Sequence, residues 1–183
     1  MRKLVLFIAT SLDGYIARPD GSVDWLFTDQ DYGYQTLYDS VDALLVGRRT
    51  FDQVLSAGDY PYAGKRTYVF SARPLSWSDA SIEAVSEPAA SFISRLKQGE
   101  GGPLWLVGGA ALIQTCLEAD LIDEFIVSIH PLMLGSGISW FAGNETSRRL
   151  RLASVESFDS GLLQVRYERQ RKSPAHIGAG LAP

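Results

Sequence analysis

The sequence is poor in the residues that most often announce a function. Cys116 is the one cysteine in 183 residues, so no intramolecular disulfide can form, and a small core residue in a reducing compartment is the simple reading. The two histidines, His130 and His176, stand far apart in sequence, so there is no local zinc-ligand spacing and no metal is expected. Lysine and arginine number 17 against 21 acids, for a net charge of −4. With no basic run, nucleic acid and anionic membrane are poor partners. No apolar stretch approaches the roughly 20 residues of a membrane-spanning helix. Met1-Arg2-Lys3 and the apolar residues 4–9 imitate a signal peptide only briefly before Thr10-Ser11-Leu12-Asp13-Gly14, and a cytoplasmic protein is expected. Neither G-x-G-x-x-G nor a Walker A sequence occurs, which argues against a Rossmann or P-loop site. No internal repeat and no second domain can be traced.

What is present is a well-patterned α/β chain. At 46% hydrophobic it can fill one sizeable core, over residues 1–170. From 171 to 183 it turns small, polar and glycine-bearing, which predicts a loose tail. The most informative stretch is Leu104-Trp105-Leu106-Val107-Gly108-Gly109-Ala110-Ala111-Leu112-Ile113. It reads as a buried strand, a glycine pair and the start of an apolar helix over 110–119. A second junction of this kind follows the strand 43–46, at Gly47-Arg48-Arg49-Thr50-Phe51. Further strands are expected at 4–9, 67–70, 81–85, 124–130, 149–157 and 162–169, the last two as a hairpin across Asp159-Ser160-Gly161. Helices are expected from about 29 to 38 and after Pro88. Strands alternating with helices, then strands alone, imply a mixed sheet, with several strands ending in small or polar residues at one edge.

Glycines ahead of helix N-termini let an anion approach the backbone where unpaired N–H groups and the dipole favour it. Tight packing without a ligand explains them equally well. Two such junctions suit the two phosphates of a dinucleotide. Arg48 and Arg49 are either exposed or phosphate-facing, and Ser71 and Arg73 are either turn residues or a hydroxyl and a cation for a further phosphate. Asp13 before Gly14 is a good turn residue. Its carboxylate is also a candidate to bind a substrate N–H or relay a proton.

These residues resemble one superfamily in order and in kind. The stretch Ala9-Thr10-Ser11-Leu12-Asp13-Gly14-Tyr15-Ile16-Ala17 and the turns Val46-Gly47-Arg48-Arg49-Thr50-Phe51, Phe70-Ser71-Ala72-Arg73 and Val107-Gly108-Gly109-Ala110 are similar to those of the dihydrofolate reductase-like fold. The likeness is closest to its RibD C-terminal domain branch, which includes a reductase of riboflavin biosynthesis. The resemblance implies a three-layer α/β fold with a central mixed, mostly parallel sheet and antiparallel C-terminal strands. It implies an NADPH-dependent reductase that acts on a small pteridine- or pyrimidine-like heterocycle. Dihydrofolate reductase itself, or a nucleotide-binding module without activity, are the alternatives. Carried over by position, Ala9 and Ile16 would line the nicotinamide. Gly47, Arg48, Arg49, Thr50, Gly108, Gly109 and Ala110 would hold phosphates, and Ser71 and Arg73 the 2′-phosphate end. Trp25 matches a tryptophan near the catalytic end of the first loop. Asp29 and Asp31 are the acids near the position of the family's substrate-binding acid, and the spacing does not choose between them. Asp13 and Asp31 therefore stand as catalytic candidates, with Trp25, Asp29, Leu134 and Gly135 as substrate-binding ones.

A homodimer is also expected. The strand 124–130 carries Phe125, Ile126, Val127 and Ile129, and the following loop adds Leu132, Met133, Leu134, Ile138, Trp140 and Phe141. If exposed, so much apolar surface would mark an interface. The alternative is that the loop folds back onto the core of its own monomer.

Overall fold

A computed structural model describes residues 1–56, 58, 60–77, 79–141 and 147–170. The expected tail 171–183, with His176, lies outside them. In chain order the elements are β1 (Leu4–Ser11), β2 (Tyr15–Ala17), α1 (Tyr34–Ser40), β3 (Ala43–Gly47), α2 (Arg48–Ser56), β4 (Arg66–Phe70), β5 (Ile82–Val85), α3 (Ala89–Gln98), β6 (Leu104–Gly108), α4 (Ala110–Glu118), β7 (Glu124–His130), β8 (Ile138–Ser139), β9 (Leu150–Ser157) and β10 (Leu163–Arg169). Eight strands form one sheet in the order β5-β4-β3-β6-β1-β7-β10-β9, and β2 pairs with β8 in a small second sheet that the sequence did not announce. Pairing is parallel from β5 through β7 and antiparallel from β7 to β10 and from β10 to β9.

The three layers follow from which face each side chain takes. On one face Leu4, Leu6, Leu45 and Leu106 pack under Ile93 of α3 and Ile113, Cys116 and Leu117 of α4. On the other, Val5, Leu44, Val46 and Trp105 meet Leu37 of α1 and Phe51 of α2. β1 and β6 are covered on both faces, which is why they read as unbroken apolar runs. Burial pushes the Cys116 thiol up to about 12, consistent with an inert core residue.

The N-terminal edge of the sheet is fastened by charge. Lys97 is 3% exposed and pairs with Asp123. The Asp123 carboxylate also accepts from the Leu4 amide at 2.9 Å and from Arg169 Nη2 at 2.9 Å. Distributing one buried carboxylate among several donors limits its desolvation cost.

Two expectations are corrected. The first helix spans Tyr34–Ser40 rather than starting near residue 29. Tyr32 and Gly33 have φ of 50° and 80°, and a right-handed helix cannot pass through such residues. The β7 surface expected to form a dimer interface is interior. Phe125, Ile126 and Val127 are buried between neighbouring strands, and Trp140 folds back onto the core at 7% exposure. Met133 and Phe141 stay exposed. The open apolar face lies instead on the edge strand β9, where Leu152 and Val155 are 50% and 52% exposed.

Candidate functional site

Because β1, β3, β4 and β6 run parallel, their carboxyl ends share one edge of the sheet, where open α/β sheets bind ligands. β6 is irregular there. Leu45 pairs with Leu106 but Val46 pairs with Gly108, leaving Val107 as an extra residue. Such a bulge re-aims the strand end, and it brings the Gly108-Gly109 turn against the Gly47 turn. A Cβ on Gly109 would meet the Gly47 Cα at 3.2 Å and Thr50 Oγ1 at 3.4 Å. A Cβ on Gly47 would meet the Gly108 carbonyl oxygen and the Gly109 Cα, each at 3.4 Å. The two turns thus touch backbone to backbone, and α2 and α4 begin side by side just beyond. Gly109 caps α4 with no side-chain hydrogen bond, so the amides of Ala110 and Ala111 open onto this edge without a side-chain acceptor.

Arg48 and Ser71 are brought together across the ends of β3 and β4. Arg48 Nε donates to the Asp52 carboxylate at 2.8 Å, and Nη1 reaches the Pro74 carbonyl at 2.9 Å and Ser71 Oγ at 3.4 Å. Ser71 Oγ in turn donates to the Arg73 carbonyl at 2.6 Å and accepts the Arg73 amide at 3.1 Å. The turn is therefore pre-formed. The Arg49 and Arg73 side chains are exposed and make no ion pair among the described residues.

Asp13 has a definite structural task. One carboxylate oxygen accepts from Ser11 Oγ at 2.6 Å and the Leu134 amide at 3.1 Å, and the other accepts the Gly135 amide at 2.7 Å. The Ser11 hydroxyl first, then the two loop amides, hold its carboxyl below the usual aspartate value. It stays ionised near neutrality and clamps the loop 131–137 to the β1–β2 turn, a role for which the sequence offered only the Asp-Gly turn or a catalytic carboxylate. Leu134 and Gly135 are its partners. Ala9 sits half-buried on β1, and Ile16 on β2 packs against the core.

The segment 18–33 crosses the same edge. Gln53 of α2 donates to the Gly21 carbonyl at 2.8 Å, and Gln164 of β10 donates to the Tyr32 carbonyl at 3.0 Å. Between them the Phe27 amide donates to His130 Nε2 at 3.2 Å. Trp25 packs edge-on to the His130 ring, centroids 5.0 Å apart. It is 8% exposed, and its Nε1 has no hydrogen-bond partner. Asp29 accepts from Tyr32 Oη at 2.7 Å, while Asp31 accepts the Gln35 amide and so caps α1. Both acids are exposed. Asp31 is engaged at the start of α1.

The structure therefore gathers Gly47, Thr50, Gly108, Gly109 and Ala110 into one cradle, Arg48, Ser71 and Arg73 into a second turn beside it, and Asp13, Leu134 and Gly135 into a third cluster. His130, Gln164 and Gln53 were not singled out for the site by sequence. For His130 the available signal was its place as the last residue of a strand that ends beside Ser11 of β1. Among the described residues no group of three or more His, Cys, Asp or Glu side chains is arranged to hold a metal, and no helix is long and apolar enough to cross a membrane.

Comparison with known proteins finds relatives in sequence and in fold. The model of the RibD C-terminal domain matches residues 2–76 and 78–164. The uncharacterized protein YwjB of Bacillus subtilis (strain 168) is 41% identical over 172 residues, which cover 92% of this chain and 98% of YwjB. YyaP of the same organism, also uncharacterized, is 33% identical over 178 residues, 91% of this chain and 94% of YyaP. A crystal structure from Shewanella sp. PV-4, of a protein provisionally assigned to riboflavin biosynthesis, superposes with a TM-score of 0.81 at 34% identity. It spans 92% of this chain and 99% of that one. The Thermotoga maritima diaminohydroxyphosphoribosylaminopyrimidine deaminase/5-amino-6-(5-phosphoribosylamino)uracil reductase superposes with a TM-score of 0.71 at 17% identity, over 92% of this chain and 57% of that one. At that identity the likeness is one of fold.

Proposed function

The chain belongs to the RibD C-terminal domain family, and from that premise we propose that it is an NADPH-dependent reductase. It would pass a hydride to a C=N or C=O bond of a small pteridine- or pyrimidine-like heterocycle, in the cytoplasm and as a homodimer. The observation that carries the reading is the contact of the two glycine turns, which sets the N-termini of α2 and α4 side by side at the carboxyl edge of the sheet. The side-chain-free backbone at Gly47, Gly108 and Gly109 and the open amides of α4 fit a pyrophosphate. The Arg48–Ser71–Arg73 turn fits a further phosphate and supports NADPH over NADH. NADPH, when bound, supplies the hydride; the protein supplies orientation and electrostatics. Asp13 holds the loop 131–137 in place beside the edge. Trp25 sits buried beside this edge, packed against the His130 ring. The Shewanella protein's assignment supports a riboflavin-type heterocycle.

Fluorescence titration with NADPH, followed by absorbance at the NADPH band with pyrimidine and pteridine substrates, tests this. Saturable binding with substrate-dependent oxidation is expected. Oxidation with dihydrofolate alone would make the protein a dihydrofolate reductase. Binding without oxidation by any substrate would make it a nucleotide-binding module, and no binding would overturn the reading.

A further inference from the structure

Four side chains of the body hydrogen-bond to the segment 18–33, namely Gln53, His130, Ser160 and Gln164, and of these the imidazole is the one that titrates near neutrality. Gln53 and Gln164 bind its ends through carbonyls; His130 binds its middle by accepting an amide. The tautomer follows from the partners. His130 Nδ1 lies 3.3 Å from the Ser128 carbonyl oxygen, which can only accept, so Nδ1 carries the proton and Nε2 offers a lone pair to the Phe27 N–H. Trp25 and Phe27 close on the ring at centroid distances of 5.0 and 4.8 Å, and His130 is only 2% exposed. Trp25 and Phe27 are thus seated on a neutral imidazole at the end of β7.

We propose that His130 is the positioning residue of this strap: neutral, it accepts the Phe27 amide and seats Trp25 against the carboxyl edge of the sheet, and protonated, it lets the strap go. A proton on Nε2 would point one donor at another. The Phe27 amide would lose its acceptor. The effect on turnover rests on the reductase reading above; the latch itself does not.

Among the described residues no ion pair or charged side-chain hydrogen bond reaches the ring, and the Ser128 and Thr10 carbonyls, which favour the protonated form, are outweighed by burial. The strap contributes Trp25 and Phe27, β1 contributes Thr10 and Ser11, β7 contributes Ser128 and β10 contributes Gln164, all neutral. The carboxylates on the strap and the β1–β2 turn are engaged elsewhere: Asp13 with Ser11, Leu134 and Gly135, Asp20 with the Ser22 amide, Asp24 with Arg18, Asp29 with Tyr32, and Asp31 with the Gln35 amide. Burial pulls the imidazole below its ordinary value of 6.5. The native state therefore binds the proton less well than the unfolded chain. The latch is fully set above about pH 6.5, and its contribution is lost as pH falls from there through the lower native value.

Amide exchange on the full chain reads the latch directly. After correction for intrinsic exchange, protection of the Phe27 amide should fall at least tenfold on acidification, with the midpoint of the His130 ring resonance, which His130→Gln identifies by its loss. The Gln variant keeps an acceptor that does not titrate, so its protection should be high and free of that midpoint. His130→Phe keeps a ring without an acceptor and should leave the amide poorly protected at every pH. Protection of the parent that ignores the His130 midpoint would overturn the proposal. So would a midpoint retained in the Gln variant, which decides the matter even if the Phe variant fails to fold. If the chain also oxidises NADPH, the acid limb of kcat/KM should be present in the parent and absent in His130→Gln. A chain that binds no NADPH but shows the exchange midpoint would refute the reductase reading and keep the latch.

Discussion

Replacing Gly109 with alanine separates what the glycine does for the fold from what it does for a ligand. Its φ of 101° and ψ of 106° lie where side-chain-bearing residues are strained, at a cost of about 1–3 kcal/mol. The new Cβ would also press on the Gly47 Cα at 3.2 Å. Both atoms belong to backbone, so relief requires the two turns to part, which adds about 1 kcal/mol of overpacking. A total of about 2–4 kcal/mol in a chain of this size lowers Tm by roughly 4–16 °C. Gly47→Ala is the matched control. Its backbone is not in the left-handed region, and its Cβ would meet neighbours at 3.4 Å or beyond, so its melting should stay within about 1 kcal/mol of the parent. NADPH at a hundredfold excess over Kd should raise the parent's stability by about 2.7 kcal/mol, or roughly 5–11 °C. Gly109→Ala should lose most of that gain, because parting the two turns displaces the backbone that would hold the phosphates, and Gly47→Ala should lose less, since its methyl group fits at ordinary contact distance. Differential scanning fluorimetry with and without NADPH gives both readouts. A Gly109→Ala protein that melts with the parent would refute the strain, and one that keeps the full NADPH gain would show that phosphates bind elsewhere.

Arg48→Ala should weaken NADPH roughly ten- to hundredfold, the loss of about 1.5–3 kcal/mol for a charged hydrogen bond, and NADH much less. Equal Kd values for the two cofactors in the parent would remove this idea. Asp13→Asn keeps the shape of the clamp but has fewer acceptor lone pairs for three donors, so amide exchange at Leu134 and Gly135 should speed up while the β1–β7 ladder stays protected. Unchanged exchange would mean that the loop needs no clamp. The homodimer is expected on β9, whose Leu152 and Val155 sit opposite Tyr167 and Val165 in the ladder. Light scattering should report twice the 20.1 kDa monomer, and Leu152→Glu should halve it; a monomeric parent, or a variant that stays dimeric, would place no interface there.

The parts of the fold that could be read in advance are those where one physical constraint dominates. The runs Leu4–Ala9 and Leu104–Val107 announced strands buried on both faces, and the strand–glycine–helix junctions announced the edge where they meet. What could not be read depends on pairings across long sequence separations. The Asp13 clamp joins residues more than 120 positions apart, and nothing local to Asp-Gly indicates it. Trp140 looked like surface because a glycine-bearing loop carries it, and only its packing into the cluster of the central sheet makes it core. His130 looked idle because it lacks a metal partner, whereas its partner is a backbone amide.

The sheet order also dictates a schedule for synthesis. β1 is the first strand to leave the ribosome, yet its two neighbours are β6 and β7, whose residues pair with it across about 100 and 120 positions. At about 5–20 residues per second, roughly 5–25 s pass before Leu4–Ser11 can pair on both sides. Meanwhile β3, β4 and β5 can assemble in parallel, with α2 connecting β3 to β4. A strand buried on both faces thus waits longest for its place, and it is there that a nascent chain should engage a holding chaperone. A circular permutant that opens within the loop 79–81, so that β6 and β7 are made shortly before β1, would shorten that wait without altering one native contact of the cradle.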